Sequence, residues 1–401
     1  MNILIFENYN FGIKDAEECF QNKGHRYTTI SSEAYCDRIN IEFVNLFDES
    51  FEKGISGQSI DCVFTFNYSP IISNNCLKRD IPYIAFVYDN PQIQLYSYTV
   101  INRCNYIFIF DKEQYKQLKE GGVDTVYYAP LPVNMNRIKR MFDSKKKIVS
   151  KFEADISFVG SLYNEKYNLY ERMYNNLSDY TKGYLDAIMG AQRNVYGYFF
   201  LENLLDDVIT KELQEAYPIR NNKDGIETAQ YVYANYFLAR KMAYDERIEI
   251  LKRIETQFGK CRKVKLYTPQ KTPELKKINN MGCIDYYSEM PYVFNESKIN
   301  LNITLRSIKS GIPLRAMDIC GAGGFLLSNY QADFYDFFTP GEDIVLYEST
   351  EDMLNKCKYY LAHDSERERI AKNGRARIEQ AHTYDIRFEE IFNIVFNTQR
   401  K

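Results

Sequence analysis

Three cations and one carboxylate fall close together in residues 299–329: Arg306, Lys309, Arg315 and Asp318, the cations lying within ten residues of one another. Arginine and lysine in a short loop, with the amides of a following helix N-terminus, suit a bound diphosphate. The backbone N–H groups of Gly311 and Ile312 would add donors where negative charge develops on a departing nucleotide. Asp318 lies one turn past Leu314 and can accept hydrogen bonds from a pair of sugar hydroxyls. The same residues would serve equally as a solvated basic loop beside an acidic helix residue, because a short glycine pattern is a weak signal.

Those residues need a frame, and the stretch supplies one. Residues 299–305 alternate apolar and polar side chains, which predicts a strand. Residues 306–311 form a short basic loop, and Pro313 opens a helix where its missing N–H costs nothing. Leu314, Met317 and Ile319 supply the apolar face. Gly321, Gly323 and Gly324 end that helix, and Phe325-Leu-Leu begins a buried strand.

The rest of the chain reads as α/β. A strand at residues 2–7, a loop carrying Gly12, a helix closed by Gly24 and a strand from His25 make a βαβ opening. Apolar runs at residues 60–67, 81–88, 106–110 and 126–130 continue a parallel sheet covered on both faces. Open α/β sheets bind ligands at the carboxyl ends of their strands. The Gly12 loop and Asp89 both stand at such ends. Asp89 could orient or deprotonate a hydroxyl, or satisfy turn amides. Residues 133–152, with the basic run Lys145–Lys147, read as a linker between domains 1–132 and 153–383. Residues 155–160 start the second sheet and lead into the turn Gly160-Ser161. Residues 165–259 read as a helical insertion, with helical spacing in 184–189 and 198–205, and 263–267 return to the sheet. Helix is expected at 332–338, a capping box at Ser365 and Glu368, and a favourable helix-dipole contact at His382.

Composition narrows the function. The 401 residues are enough for two domains, and 45% hydrophobic content is ample for packed cores. A formal charge of -3 supplies no basic field, so no nucleic-acid partner is expected. Nine cysteines occur singly without a C-x-x-C pair, which points to reduced thiols and a cytoplasmic setting. With three histidines and no Asp-x-Asp pair, no metal or other cofactor is expected. No apolar run is long enough for a transmembrane segment, and no secretory leader is visible.

Arg315-Ala-Met-Asp-Ile-Cys-Gly-Ala-Gly-Gly-Phe-Leu-Leu resembles the R-x-F-E-I-x-A-C-G-G-F-L-L pattern of bacterial glycosyltransferases of the CgeB and DUF3880 type, within the GT-B superfamily. The similarity continues through Asn329-Tyr-Gln, Phe338-Thr-Pro-Gly-Glu-Asp, Tyr359-Tyr-Leu-Ala-His, Arg367-Glu-Arg-Ile-Ala and His382-Thr-Tyr. It implies two Rossmann-like parallel-sheet domains facing a cleft, the insertion lying in the second. It also implies a terminal helix, residues 384–401, crossing back to the first domain. A nucleotide-diphosphate sugar, UDP-linked among the candidates, would be held mainly by the second domain, through Gly160, Ser161, Tyr267, Thr268, Arg306, Lys309, Gly311, Ile312, Arg315 and Asp318. Tyr267 and Thr268 would flank the base. A hexosyl or N-acetylhexosaminyl group would pass to a glycan or protein acceptor, with Asp89 as the catalytic base. Retaining members often carry two glutamates with seven residues between them, where this chain has Ser310 and Asp318. An epimerase or hydrolase on the same fold, and a binding module without catalysis, are the rival readings.

Overall fold

The computed structural model describes residues 1–7, 11–144, 149–164, 169–220 and 222–398. The loop residues Asn8–Asn10 and the basic run Lys145–Lys147 lie outside them. The chain divides into two compact units. Met1–Asn134, Asn222–Glu227 and His382–Lys401 form the first, and Met135–Asn221 with Thr228–Ala381 the second.

The first unit is built on β1 (Asn2–Glu7), β2 (Arg26–Ser31), β3 (Cys62–Phe66), β4 (Tyr83–Val87), β5 (Asn105–Ile109) and β6 (Val126–Tyr128). They form one sheet in the order β2-β1-β3-β4-β5-β6, with every pairing parallel. Every residue of β3, β4 and β5 is buried. Helices over both faces demand apolar side chains at odd and even positions alike. The last helix, Tyr384–Thr398, joins this unit through an aromatic cluster. The Phe388 ring lies 4.7 Å from Phe20 and 5.4 Å from Phe64, both edge-on. Segment Asn222–Glu227 is tied to the same unit. Arg38 pairs with Asp224 at 2.7 Å and Glu227 at 2.8 Å, and the Tyr98 amide donates to the Asp224 carbonyl at 2.8 Å.

The second unit repeats the plan with β7 (Ala154–Val159), β8 (Val264–Tyr267), β9 (Asn279–Asn280), β10 (Ser297–Asn302), β11 (Leu326–Asn329) and β12 (Val345–Tyr347), in the order β12-β11-β10-β7-β8-β9. From β7 the chain first runs outward to β8 and β9. It then returns to β10 on the other side and proceeds to β11 and β12. Strand order therefore reverses between β7 and β10, as it does between β1 and β3, and a crevice opens beyond the carboxyl ends at such a reversal.

Between β7 and β8 lie the helices Leu169–Tyr174, Asp179–Arg193 and Asp207–Ala216. A longer run follows: Ala229–Val232, a π-helical turn Tyr233–Leu238, and Ala239–Phe258. Ser178, Asp206 and Thr228 each accept a backbone N–H at a helix start. Of the helix expected over 198–205 only a 3₁₀ turn, Glu202–Leu204, forms. Gln192 captures that segment instead, donating to the Val195 and Tyr198 carbonyls and accepting from the Phe200 amide at 2.8 Å. Within the segment expected as a linker, 133–152, Met135–Asp143 is helical and amphipathic. The helix expected at 332–338 shortens to Phe334–Phe337, and Ser365 sits inside the helix Asp364–Ala381 rather than capping it.

His382 is not the charged dipole partner expected. It is 2% exposed, and burial with the neighbouring Arg387 lowers its pKa to about 4. The imidazole is therefore neutral in the folded protein but titrates near 6.5 when unfolded. Stability from this residue is complete above about pH 6.5 and is lost as pH falls toward 4, a difference of about 3 kcal/mol. Thermal melts at pH 7 and pH 4.5 should show a larger loss in the wild type than in His382→Gln. Equal losses would contradict this.

Candidate functional site

The loop after β10 is shaped by side chains from the end of β11 and just beyond. The Thr304 amide donates to Asn329 Oδ1 at 2.7 Å, and Asn302 Nδ2 donates to Thr304 Oγ1 and Ser328 Oγ, each at 2.9 Å. Gln331 Nε2 donates to the Ile308 carbonyl at 3.0 Å and the Gly311 carbonyl at 3.2 Å, while the Asp333 amide donates to the Ser310 carbonyl. In a planar trans peptide the N–H points opposite to the carbonyl before it. With these three carbonyls drawn toward Gln331 and Asp333, the amides of Lys309, Gly311 and Ile312 turn to the other side of the loop. Helix Leu314–Gly321 then starts directly after Pro313. Gly324 closes it against β10, where a Cβ would stand 2.6 Å from the Phe294 carbonyl and 2.7 Å from Asn300 Nδ2, so only glycine has room.

The charged residues divide into two groups. Arg306 does not present a solvated cation. Its side chain is 4% exposed, Nη2 meets Glu246 Oε1 at 2.5 Å, Nε meets Oε2 at 3.3 Å, and the guanidinium lies 3.5 Å over the Tyr196 ring. A phosphate at Arg306 would have to compete with that carboxylate. Lys309 is half-buried, and its charge lies near Glu202, whose carboxyl is raised by burial and lowered by the lysine. Arg315 Nη1 and Asp318 Oδ2 are 3.3 Å apart, and Tyr286 Oη donates to Asp318 Oδ1 at 3.3 Å. Asp318 is thus a buried, oriented carboxylate on the helix that follows the loop.

At the end of β7 the geometry departs further from expectation. The Gly160 amide donates to the Tyr267 carbonyl at 3.1 Å, so this N–H binds a neighbouring strand rather than a ligand. Tyr267 and Thr268, the residues expected to flank the base, are buried at 4% and 1% exposure. Burial pushes the Tyr267 hydroxyl up to about 12. Thr268 instead donates to Gln270 Oε1, which also accepts the Leu162 amide at 3.0 Å, and Gln270 Nε2 reaches Ser161 Oγ at 3.4 Å. These residues position the Gly160-Ser161 turn from below.

Sequence reasoning missed Glu246 and Arg247. Both are buried on helix Ala239–Phe258, at 6% and 7% exposure. The signal was present: Arg247 interrupts the buried stripe Ala243, Leu251, Ile254 and Phe258, where helical spacing calls for an apolar side chain. Arg247 donates from Nη1 to the Ser161 carbonyl and from Nη2 to the Ile303 carbonyl, so it joins the two strand ends that flank the reversal.

In the first unit, Asn67 stands at the end of β3 in the left-handed region, with φ of 62°. Its Oδ1 accepts the Tyr88 and Asp89 amides at 3.1 Å, and its Nδ2 donates to Asp89 Oδ2 at 2.7 Å. Asn90 Nδ2 donates to Asp111 Oδ2 at 2.9 Å, and Gln92 holds both polar groups of the Tyr68 backbone. The turn bearing Asp89 is thereby fixed to the ends of β3 and β5, with Asp89 exposed. Gly12, with φ of 89°, precedes helix Ile13–Asn22, and a Cβ there would stand 2.7 Å from Tyr384 Oη.

The architecture matches solved structures along nearly its whole length. Sucrose-phosphate synthase from Thermosynechococcus elongatus superimposes with a TM-score of 0.55 at 8% identity, covering 99% of this chain and 100% of that one. Alr3699/HepE from Anabaena, solved in complex with UDP and glucose, gives 0.53 at 8% identity, covering 100% and 99%. A UDP-forming α,α-trehalose-phosphate synthase from Burkholderia xenovorans gives 0.52 at 11% identity, covering 99% of each chain. The fold is GT-B. In this GT-B chain, residues 240–393 match the family model described as glycosyl transferase-like. No curated protein matches the chain. The matched span contains Glu246 and Arg247, strands β8 to β12 and the whole loop after β10. Among the described residues, no helix is long and apolar enough to cross a membrane.

Proposed function

We propose that this chain is a metal-independent glycosyltransferase of the CgeB-like type, moving a hexosyl or N-acetylhexosaminyl group from a nucleoside diphosphate to a glycan or protein acceptor in the cytoplasm. The observation that carries the reading is the glycosyl transferase-like match over residues 240–393, which takes in β10, on one side of the strand-order reversal of the second sheet, and its shaped loop. Structural neighbours solved with UDP favour a uridine carrier. The reading places the donor on the second unit. Lys309 and the amides of Gly311 and Ile312 stabilise the departing diphosphate, where each well-placed donor typically contributes about 3 kcal/mol to lowering the barrier. Asp318 accepts from the ribose hydroxyls. The metal-free reading is supported by the absence of an Asp-x-Asp pair in the sequence, since a basic loop can supply the positive charge instead. Asp89 takes the proton of the acceptor hydroxyl.

Thermal-shift assays with UDP, GDP, dTDP, CMP and the corresponding sugars test this. A ligand that binds only the folded state raises the melting temperature, and about 2.7 kcal/mol is gained at a hundredfold excess over Kd. UDP should give a shift of several degrees, with CMP giving none. No shift with any nucleotide would remove the reading. Donor breakdown or isomerisation without transfer would favour the hydrolase or epimerase alternative.

A further inference from the structure

Two buried arginines stand near the β7–β10 reversal, and their electrostatic states are opposite. Arg306 is neutralised by Glu246. Arg247 has no such partner: among the described residues it contacts two backbone carbonyls and the faces of Tyr163 and Phe158, at 4.7 and 5.4 Å. Among the described residues its Nε–H finds no acceptor, and the residue is only 7% exposed. Carbonyl dipoles and aromatic faces offset part of the cost of burying a full charge, but a buried cation is ordinarily matched by an anion.

Its position says where the anion would be. Arg247 spans the Ser161 and Ile303 carbonyls, one beyond each strand flanking the reversal. The amides that follow are also fixed, Leu162 by Gln270 and Thr304 by Asn329. Both peptide planes are therefore held from two sides. Gly160 stands beside the guanidinium: a Cβ there would lie 3.4 Å from the Phe158 ring and 3.9 Å from Nη1.

We propose that Arg247, rather than Arg306, is the buried cation that contacts the diphosphate in the second unit and that sets the spacing of the two strand ends around it. This rests on the donor-site reading above, and the probe is chosen to separate the two. Calorimetry with inorganic pyrophosphate, UDP and uridine should be run on the wild type, Arg247→Gln, Arg247→Lys and Arg306→Met. Losing a charged hydrogen-bond donor should weaken pyrophosphate and UDP roughly 10- to 100-fold in Arg247→Gln, with uridine changed less than about twofold. Arg247→Lys keeps the charge and should recover part of the pyrophosphate affinity; Arg306→Met should leave the UDP-to-uridine affinity ratio unaltered. If Arg247→Gln weakens uridine and UDP equally, or Arg306→Met alone abolishes pyrophosphate binding, the proposal is overturned. Arg247-dependent pyrophosphate binding without any nucleotide binding would keep the anion site and remove the glycosyltransferase donor reading.

Discussion

Replacing Glu246 with alanine is expected to destabilise the protein by about 3–5 kcal/mol, because it leaves the Arg306 guanidinium buried without its carboxylate. The pair is well shielded, with side chains 4% and 9% exposed, and Arg306 has little else to turn to. Among the described residues its remaining contacts are the Arg193 carbonyl at 3.1 Å and the Tyr196 ring, and Nη1 has no hydrogen-bond partner. For a unit of this size the melting temperature should fall by roughly 6–20 °C. The pair itself need not be a large net stabiliser, since desolvation of both charges opposes their attraction. The double variant Glu246→Met/Arg306→Met should therefore recover most of the loss. Calorimetric melts of the two variants distinguish a buried ion pair from an incidental contact. A drop below about 2 °C for Glu246→Ala would show that Arg306 finds water or another acceptor. UDP affinity adds a second reading. Were Arg306 a phosphate ligand restrained by Glu246, removing the carboxylate would tighten UDP binding rather than leave it nearly unchanged.

The sheets were legible because a parallel sheet covered on both faces leaves an unmistakable record. Cys62–Phe66, Tyr83–Val87 and Asn105–Ile109 are buried at every position and read as unbroken, mostly apolar runs. The loop and helix at 303–321 were legible for a related reason: proline and glycine mark the helix ends by backbone preference alone. Side-chain pairing over long separations left no such record. Glu246 and Arg306 are sixty positions apart, and nothing local to Arg306 indicates that a carboxylate is waiting. The burial of Tyr267 and Thr268 was not legible either, because the end of a strand and the start of its loop look alike in sequence. Residues 198–205 have helical spacing and do bury Phe199, Leu201 and Leu205, yet Gln192 takes the backbone groups a helix would need. Periodicity reports which side chains are buried; it does not report where the backbone hydrogen bonds go.

Asp89→Asn is expected to lower kcat about 10²- to 10⁴-fold, the range that a positioned general base contributes, while leaving nucleotide affinity unaltered. Asparagine keeps the shape and can still meet Asn67, but it cannot accept a proton. The support for Asp89 lies in what surrounds it. Asn67 adopts a backbone conformation that costs most side chains about 1 kcal/mol or more, and asparagine less than most. All of its polar groups are engaged: two amides reach Oδ1, Nδ2 holds one oxygen of Asp89, the Thr65 hydroxyl meets its carbonyl at 2.6 Å, and its own N–H reaches the Phe86 carbonyl at 2.8 Å. Asn67→Gly separates the two roles, since glycine accepts positive φ freely and removes only the amide. If the amide orients the carboxylate, Asn67→Gly should fold normally and lose roughly tenfold in kcat, as a misplaced base would. If the amide only closes the turn, Asn67→Gly should shift the melting temperature and leave kcat at the wild-type value. Wild-type turnover in both variants would make Asp89 a turn residue and move the search for the base to another side chain.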